Sequence, residues 1–175
     1  MSLLEDTVTV NRNLLSPLGY KVVLKRAPNV VFWCQKFPIP GIEIGVVNVP
    51  TPLIDLQYPG EHMKFDDLEI IFKVDDDLAN YIELFNWIVA LGKPDSFNQY
   101  AQIAAQPEIS GLGISCDITA LIVDAKRNVN IAITFADAFI TALSGITFDS
   151  TLEDITYVNA AARFNYRRYY IEKVV

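Results

Sequence analysis

The fold is decided by residues 68–94, which read LEIIFKVDDDLANYIELFNWIVALGKP. In the first seven residues, apolar positions 68, 70, 72 and 74 alternate with Glu69, Ile71 and Lys73, as in a strand with one buried face. Three aspartates follow, and their side chains can cap the amino end of a helix. Gly92 and Pro94 then end the apolar pattern. The stretch therefore predicts a strand followed by an amphipathic helix over about 77–91.

The apolar residues of this helix recur at helical spacing. The stripe expected to face the core is Leu78, Ile82, Phe85 and Val89, widened by Tyr81, Leu84, Ile88 and Leu91. The residues expected to face solvent are Asn80, Glu83 and Asn86.

Most of the remaining chain predicts strands, from β-rich runs or from alternating apolar and polar residues. The predicted strands are 20–26, 30–35, 42–46, 53–58, 116–122, 129–135, 139–143 and 160–171. Tyr58-Pro59-Gly60 and Leu143-Ser144-Gly145 have the composition of turns, and residues 95–113 that of an exposed loop. Strands without alternating helices argue against a parallel Rossmann-type sheet. We expect a mainly β protein with one α-helix: an antiparallel β-sandwich or barrel flanked by the helix at about 77–91, in a single domain over residues 1–175.

Composition excludes several classes of protein. The 175 residues are 51% hydrophobic and contain 20 aromatic residues, which argues against disorder. Two cysteines are too few for a disulfide scaffold, and a net charge of −7 argues against binding nucleic acid through overall charge. No segment has the apolar length of a membrane span, so we expect no membrane insertion.

The charge is unevenly distributed along the chain. Residues 1–36 carry five basic and two acidic residues, whereas residues 61–95 carry three basic and nine acidic residues. The segment 163–173 is basic again. Faces of opposite sign on one subunit suit head-to-tail contacts between copies, although a solvated surface also accounts for them.

The sequence contains few candidates for catalytic residues. The single histidine, His62, has no recognisable partners for a catalytic triad, and Cys34 and Cys116 lack metal-binding spacing. Residues 163–170 interleave basic and aromatic side chains, but strand alternation divides them between two faces, which favours a terminal strand over a nucleic-acid site. We expect no catalytic residue, no cofactor, no metal and no enzymatic activity.

Several short motifs nevertheless occur in a recognisable order. They are Phe32-Trp33-Cys34-Gln35, Ile39-Pro40-Gly41-Ile42, Val49-Pro50-Thr51-Pro52, Tyr58-Pro59-Gly60, Phe65-Asp66-Asp67-Leu68, and the strand and helix of residues 68–91. In this order and spacing the chain resembles the tail tube proteins of contractile-tailed bacteriophages, the T4-like group of myoviruses. Residues 95–113 and the ending Arg167-Arg168-Tyr169-Tyr170 fit a main tube subunit less well.

The resemblance implies a structural virion protein rather than an enzyme. Tube subunits of this family form six-membered rings that stack into a hollow cylinder, and strands of neighbouring subunits complete its inner barrel. The implied partners are copies of the chain itself and the tail sheath, baseplate and tape-measure proteins. The implied location is the phage tail, assembled in the host cytoplasm, and genomic DNA passes through the lumen without specific binding.

One segment is our candidate for contact between subunits or rings. It lies in the region 44–65, where three prolines limit chain freedom, and its residues are Gln57, Tyr58, Pro59, Gly60, Glu61, His62 and Met63. Deleting these seven residues is expected to leave the monomer folded and to stop polymerisation.

Three functions stay open on the sequence. The leading hypothesis is the main tube subunit. The alternative is a tube-related component of fixed copy number, either a baseplate tube initiator or a tail-completion or terminator protein. A third possibility is a β-barrel that binds a small ligand, which requires a concave apolar pocket.

Overall fold

The computed structural model describes residues 15–92, 97–104, 114–124, 128–149, 151 and 156–174. The strands within them are β1 (Tyr20–Leu24), β2 (Cys34–Lys36), β3 (Ile42–Pro50), β4 (Asp55–Phe65), β5 (Leu68–Lys73), β6 (Cys116–Val123), β7 (Val129–Leu143), β8 (Asn159–Asn165) and β9 (Arg168–Lys173). The helices are α1 (Pro28–Phe32), α2 (Ala79–Gly92) and α3 (Phe97–Ala104).

Seven of the strands form one antiparallel sheet that folds on itself around β7. The first half of β7 pairs with β6 and β9, and its second half pairs with β8. β1 extends the sheet beyond β6, while β5 and β2 extend it beyond β8. The result is a nearly closed antiparallel barrel, which confirms the predicted fold class.

The bend that allows this folding lies within β7. Asp137 has φ of 54°, a left-handed conformation that aspartate adopts more readily than most residues. Its N–H donates to Asp117 Oδ1 at 3.1 Å, and the register of β7 against β6 shifts on approaching Ala138. The sequence predicts two strands here, 129–135 and 139–143, and the structure has one bent strand instead.

The hydrophobic core lies between the two halves of the sheet and beneath α2. Phe72, Phe135 and Phe164 are fully buried there. The ring of Trp87 in α2 packs 5.9 Å from the Phe164 ring, and its Nε1 donates to the Ile114 carbonyl at 3.1 Å. The described residues thus have one hydrophobic core. That a single domain extends over all of residues 1–175 stays a prediction.

The predicted helix is present as α2, but it starts two residues later and its buried face only partly matches the predicted one. Its buried residues are Asn80, Leu84, Trp87 and Ala90. Ile82 and Phe85, expected in the core, are 47% and 50% exposed. The prediction is confirmed for the widening residues, since Leu84 is buried and Tyr81, Ile88 and Leu91 pack against the core. It is wrong for Ile82 and Phe85, because the helix is apolar on most sides and periodicity alone could not select one. Of the two expected stop signals, Gly92 is the last residue of α2, and Pro94 lies outside the described residues.

The three aspartates precede α2 but do not cap it, so this prediction was wrong. The Leu78 N–H donates to the Asp75 carbonyl at 3.0 Å, and Leu78 has φ of 56°. This turn separates the aspartates from the first helical residue, and the Asp75 carboxylate accepts from the Asp76 N–H instead.

Asn80, expected to face solvent, is fully buried and joins the helix to the end of β5. Its Nδ2 donates to the Lys73 carbonyl at 2.8 Å, and its Oδ1 accepts from the Asp75 N–H at 3.3 Å. Two backbone groups at this corner therefore depend on one side chain.

Replacing Asn80 with alanine is expected to lower the free energy of unfolding by about 2–4 kcal/mol, because both backbone groups lose their partner. Urea denaturation followed by tryptophan fluorescence measures the change. Asn86→Ala, in an exposed position of the same helix, is the control and is expected to change stability by less than about 0.5 kcal/mol. Equal effects at the two positions would contradict the role given to Asn80.

Two further segments differ from expectation. Residues 30–35, predicted as a strand, form the end of α1, a turn and the start of β2. Pro28 occupies the first turn of α1, where its missing N–H costs nothing, and Val30 is buried. Residues 97–104 of the predicted loop 95–113 form α3, and most of the rest of that loop lies outside the described residues.

The predicted terminal strand 160–171 is broken at Tyr166 and Arg167 into β8 and β9. The alternate residues from Ala160 to Tyr166 are buried, in agreement with the pattern, but after the break Arg168 and Tyr170 are exposed. The corner is fixed by the Arg167 N–H, which donates to the Ala136 carbonyl at 3.0 Å.

Tyr166 makes the stability of the folded protein fall as the pH rises through the alkaline range. Its hydroxyl donates to the Asp66 carbonyl at 2.8 Å, and burial, with smaller contributions from Tyr169, Asp66 and Asp67, raises its pKa to about 12. An unfolded tyrosine has a pKa of about 10. The native state therefore holds this proton more tightly, so its stabilising contribution is present below about pH 10 and is lost between about pH 10 and 12.

Urea midpoints measured from about pH 8 to 12 are expected to fall more steeply in the parent chain than in the Tyr166→Phe variant. The variant lacks the titrating hydroxyl but keeps the ring packed against Phe135, 5.0 Å away. Parallel pH profiles for the two proteins would show that another group controls alkaline unfolding.

Candidate assembly surface

The β3–β4 hairpin stands apart from the barrel. Within the described part of the chain, β3 and β4 pair only with each other. The hairpin is anchored at its base, where the Asp66 N–H donates to the Gly41 carbonyl at 3.2 Å and the Phe65 ring lies 5.6 Å from the Tyr169 ring. Nearly every residue of both strands is exposed in the monomer.

Strand register divides the outer part of the hairpin into two unlike faces. Residues directly opposite each other in an antiparallel pair share a face, and faces alternate along the strand. Val47 lies opposite Tyr58, and Val49 lies opposite Leu56. These four residues, called the tip patch below, form an apolar face. The other face contains Val46, Asn48, Pro50, Asp55, Gln57 and Pro59.

The tip patch is exposed in the monomer. Its four side chains are between 41% (Leu56) and 54% (Val47) exposed, so each keeps about half of its surface available to a partner. Leu53 and Ile54, in the adjoining turn, are 97% and 65% exposed. That turn is closed by hydrogen bonds between Thr51 and Ile54. Hydrophobic side chains arranged in this way are typical of a surface that another protein covers.

A bulge separates the tip from the base of the hairpin. Ile44 lies opposite Met63 and Val46 lies opposite Pro59, so Gly45 faces three residues of β4, which are residues 60–62. The two glycines approach closely here, because a Cβ placed on Gly60 would lie 2.8 Å from the Gly45 carbonyl oxygen. Gly60 is thus required by the contact rather than by a turn.

The seven predicted site residues occupy four different places in this hairpin. Tyr58 belongs to the tip patch, and Gln57 and Pro59 lie on the opposite face. The bulge contains Gly60, Glu61 and His62, and the base contains Met63. The expected turn at Tyr58-Pro59-Gly60 was wrong, since these residues are in β4 and the chain reverses at 51–54.

Sequence reasoning missed the β3 half of the surface. Val47 and Val49 contribute to the tip patch as much as Leu56 and Tyr58 do, but the sequence predicts only β4 residues as the contact segment. The missing information was the strand register, which the bulge shifts.

Other exposed features could contact a partner. Among the described residues, β1 and β9 are the edge strands of the first half of the sheet, and β2 is the edge strand of the second half. Ile82 and Phe85 are exposed apolar side chains of α2. Unpaired strand edges can bind strands of another chain.

The described residues offer little for catalysis. They contain no group of three or more potential metal ligands and no helix long and apolar enough to cross a membrane. Cys116 is buried, and desolvation raises the pKa of its thiol to about 11, which disfavours the reactive thiolate. His62 lies in the exposed bulge of the hairpin.

Comparison with known proteins gives one informative relative. No family model matches the sequence. The tail tube terminator protein of Enterobacteria phage T4 is 28% identical over 143 residues, covering 79% of this chain and 76% of that protein. The chain is similar to a tail tube terminator.

Solved structures agree on the fold. A chain of the sheath/tube terminator of an extracellular contractile injection system, PVC, has a TM-score of 0.56 at 12% identity, covering 91% of this chain and 97% of that chain. A chain of the tube terminating cap of the anti-feeding prophage has a TM-score of 0.54 at 13% identity, covering 99% and 100%. The resemblance is thus confirmed for tail-tube-related proteins of contractile systems, but not for the main tube protein in particular.

Proposed function

We propose that this chain is a tail tube terminator: a structural, non-enzymatic protein that assembles with copies of itself at the end of the inner tube of a contractile tail. The observation that carries the proposal is the 28% identity to the phage T4 terminator over 79% of the chain. The main tube subunit, the leading hypothesis from the sequence, has less support because the relative is named a terminator.

The fold alone does not distinguish these roles. Chains from a contractile baseplate and from a sheath–tube complex each have a TM-score of 0.55, close to that of the terminator structure. The choice between terminator, tube subunit and baseplate component therefore depends on the sequence relative.

The surface of the monomer supports an assembling protein. The tip patch places four half-exposed apolar side chains on a hairpin that projects from the barrel. The edge strands β1 and β9 provide backbone groups that a neighbouring copy can pair with. A barrel that binds a small ligand has less support, because Phe72, Phe135 and Phe164 occupy its interior.

The proposal includes a ring of six copies, contact with the tube and sheath, and a lumen through which DNA passes without specific binding. The protein would be located in the phage tail after assembly in the host cytoplasm. As a terminator, the protein would be present in a fixed number of copies at one end of the tube. A main tube subunit would instead stack in many rings.

Electron microscopy of the purified protein, alone and mixed with tubes of the same tail, tests the proposal. Alone, the protein is expected to form single rings or to stay unassembled; with tubes, it is expected to bind only at tube ends. Long tubes formed by the protein alone would contradict the terminator role and favour the main tube subunit. Absence of binding to either tube end would contradict both the terminator role and the main tube subunit.

Two single substitutions separate the faces of the hairpin in such an assembly. Tyr58→Asp places a charge in the tip patch, and Gln57→Asp places the same charge on the opposite face, one residue away. Sedimentation velocity is expected to show a strong loss of association for Tyr58→Asp and a much smaller one for Gln57→Asp. Similar losses from both would mean that the tip patch is not the face that carries the contact.

A further inference from the structure

A surface groove lies where the end of β5, the turn before α2, Trp33 and the described residues between β7 and β8 meet. Its volume is about 670 Å³, and the residues that define it here are Trp33, Lys73, Asp75, Asp76, Phe148 and Tyr157. We call it the aromatic groove. Its three rings, those of Trp33, Phe148 and Tyr157, are 39%, 78% and 71% exposed.

The aromatic groove has an acidic side. Asp75 and Asp76 line it together, and Asp76 is exposed. The one lysine in the lining, Lys73, holds its ammonium group 4.6 Å from the centre of the Tyr157 ring. The groove therefore combines aromatic surface with two carboxylates, a combination that favours an arginine next to an apolar or aromatic residue.

β9 presents such a pair on its outer surface. The Arg168 guanidinium lies 4.6 Å from the centre of the Tyr170 ring, and both residues are exposed. Ile171 is 61% exposed. In the described part of the chain β9 pairs only with β7, so its other edge has no strand partner there.

We propose that the aromatic groove of one copy binds β9 of a second copy, with Arg168 facing Asp76 and Tyr170 packing against the groove's aromatic rings. The charges of the two surfaces are complementary. Asp75 and Asp76 outnumber Lys73 in the groove, and the basic residues of β9 and the corner before it (Arg167, Arg168 and Lys173) outnumber Glu172. An arginine stacked on a tyrosine is already held in place, so less side-chain freedom is lost on binding.

This contact joins two different surfaces, so it is heterologous and can close into a ring. The inference rests on the proposed assembly of copies and goes further by naming the two surfaces that meet. It also gives a role to the separation of acidic and basic segments along the chain.

Charge reversal with a matched control for each side tests the contact. Asp76→Lys changes the groove, and Asp77→Lys makes the same change in charge at an exposed neighbour that does not line it. Arg168→Glu changes β9, and Lys25→Glu is its control at another exposed position. Sedimentation velocity over a concentration series measures association, and near-ultraviolet circular dichroism checks that each variant is folded.

Asp76→Lys and Arg168→Glu are each expected to weaken association by about tenfold or more, and the two controls by less than about threefold. The variant carrying both Asp76→Lys and Arg168→Glu is expected to recover most of the association. In that variant the lysine introduced at position 76 of one copy faces the glutamate introduced at position 168 of the next, so the charges are opposite again.

Several results would overturn the contact. They are a parent chain that stays monomeric at every concentration, normal association of either single variant, or failure of the combined variant to recover. If the parent chain still caps tubes in the microscopy experiment, the proposed function survives such a result. If it neither associates nor binds tube ends, both proposals fail.

Discussion

Removing residues 46–59, so that Gly45 is joined directly to Gly60, is expected to leave the barrel folded and to abolish assembly. The deleted segment contains the whole tip patch and pairs only within the hairpin. Gly45 and Gly60 are already in contact, and Ile44 and Met63 stay paired across the four residues that then join them. This deletion therefore removes both strands of the tip, whereas deletion of 57–63 would leave β3 without its partner.

The expected loss of association is roughly a thousandfold. Burying the exposed half of a large apolar side chain contributes about 1 kcal/mol, and the tip patch has four such side chains. Sedimentation velocity and electron microscopy measure assembly, while a urea midpoint similar to that of the parent chain shows that the barrel is intact. Normal rings from the shortened chain would exclude the hairpin as an assembly element.

The existence of α2 and of most strands could be predicted from the sequence because periodicity is a local property. The buried face of α2 could not, because Trp87 and Asn80 are placed by partners at Ile114 and Lys73. A helix that is apolar on most sides has no local signal for the direction of the core.

Only part of the candidate site could be predicted from the sequence, because strand register, like the buried face of α2, depends on contacts with another segment. Proline and glycine around 58–60 indicate irregular structure, and the structure uses Gly60 in a bulge rather than a turn. The apolar face of the tip depends on which β3 residue lies opposite each β4 residue. A bulge changes that register without changing the composition of either strand.

For the contact proposed between copies, the sequence indicates only that acidic and basic residues lie in different segments of the chain. The acidic segment contains Asp75 and Asp76, and the basic ending contains Arg168. Folding is needed to place the aspartates beside Trp33 and Tyr157, which are far away in sequence. A groove made from distant segments has no signature in a single stretch of residues.

The largest expected effect on stability is that of Phe135→Ala. The Phe135 ring is fully buried where the two halves of the sheet meet, with ring centres of Phe37, Tyr166 and Tyr169 at 5.8, 5.0 and 5.4 Å. Removing it leaves a cavity among large rings that cannot collapse easily, so the free energy of unfolding is expected to fall by about 3–5 kcal/mol.

Phe139→Ala, in the same strand, is the matched control. Phe139 is 38% exposed, so its removal from the monomer loses less buried surface and is expected to cost about 1 kcal/mol. Urea denaturation at a concentration where the protein is monomeric measures both changes. Equal losses would contradict the position of the core, because Phe135 would then be no more buried than Phe139. A large loss of stability at Phe135 alone would locate the core where β7 passes between the two halves of the sheet. This core is the framework that holds the hairpin and β9 in place for assembly.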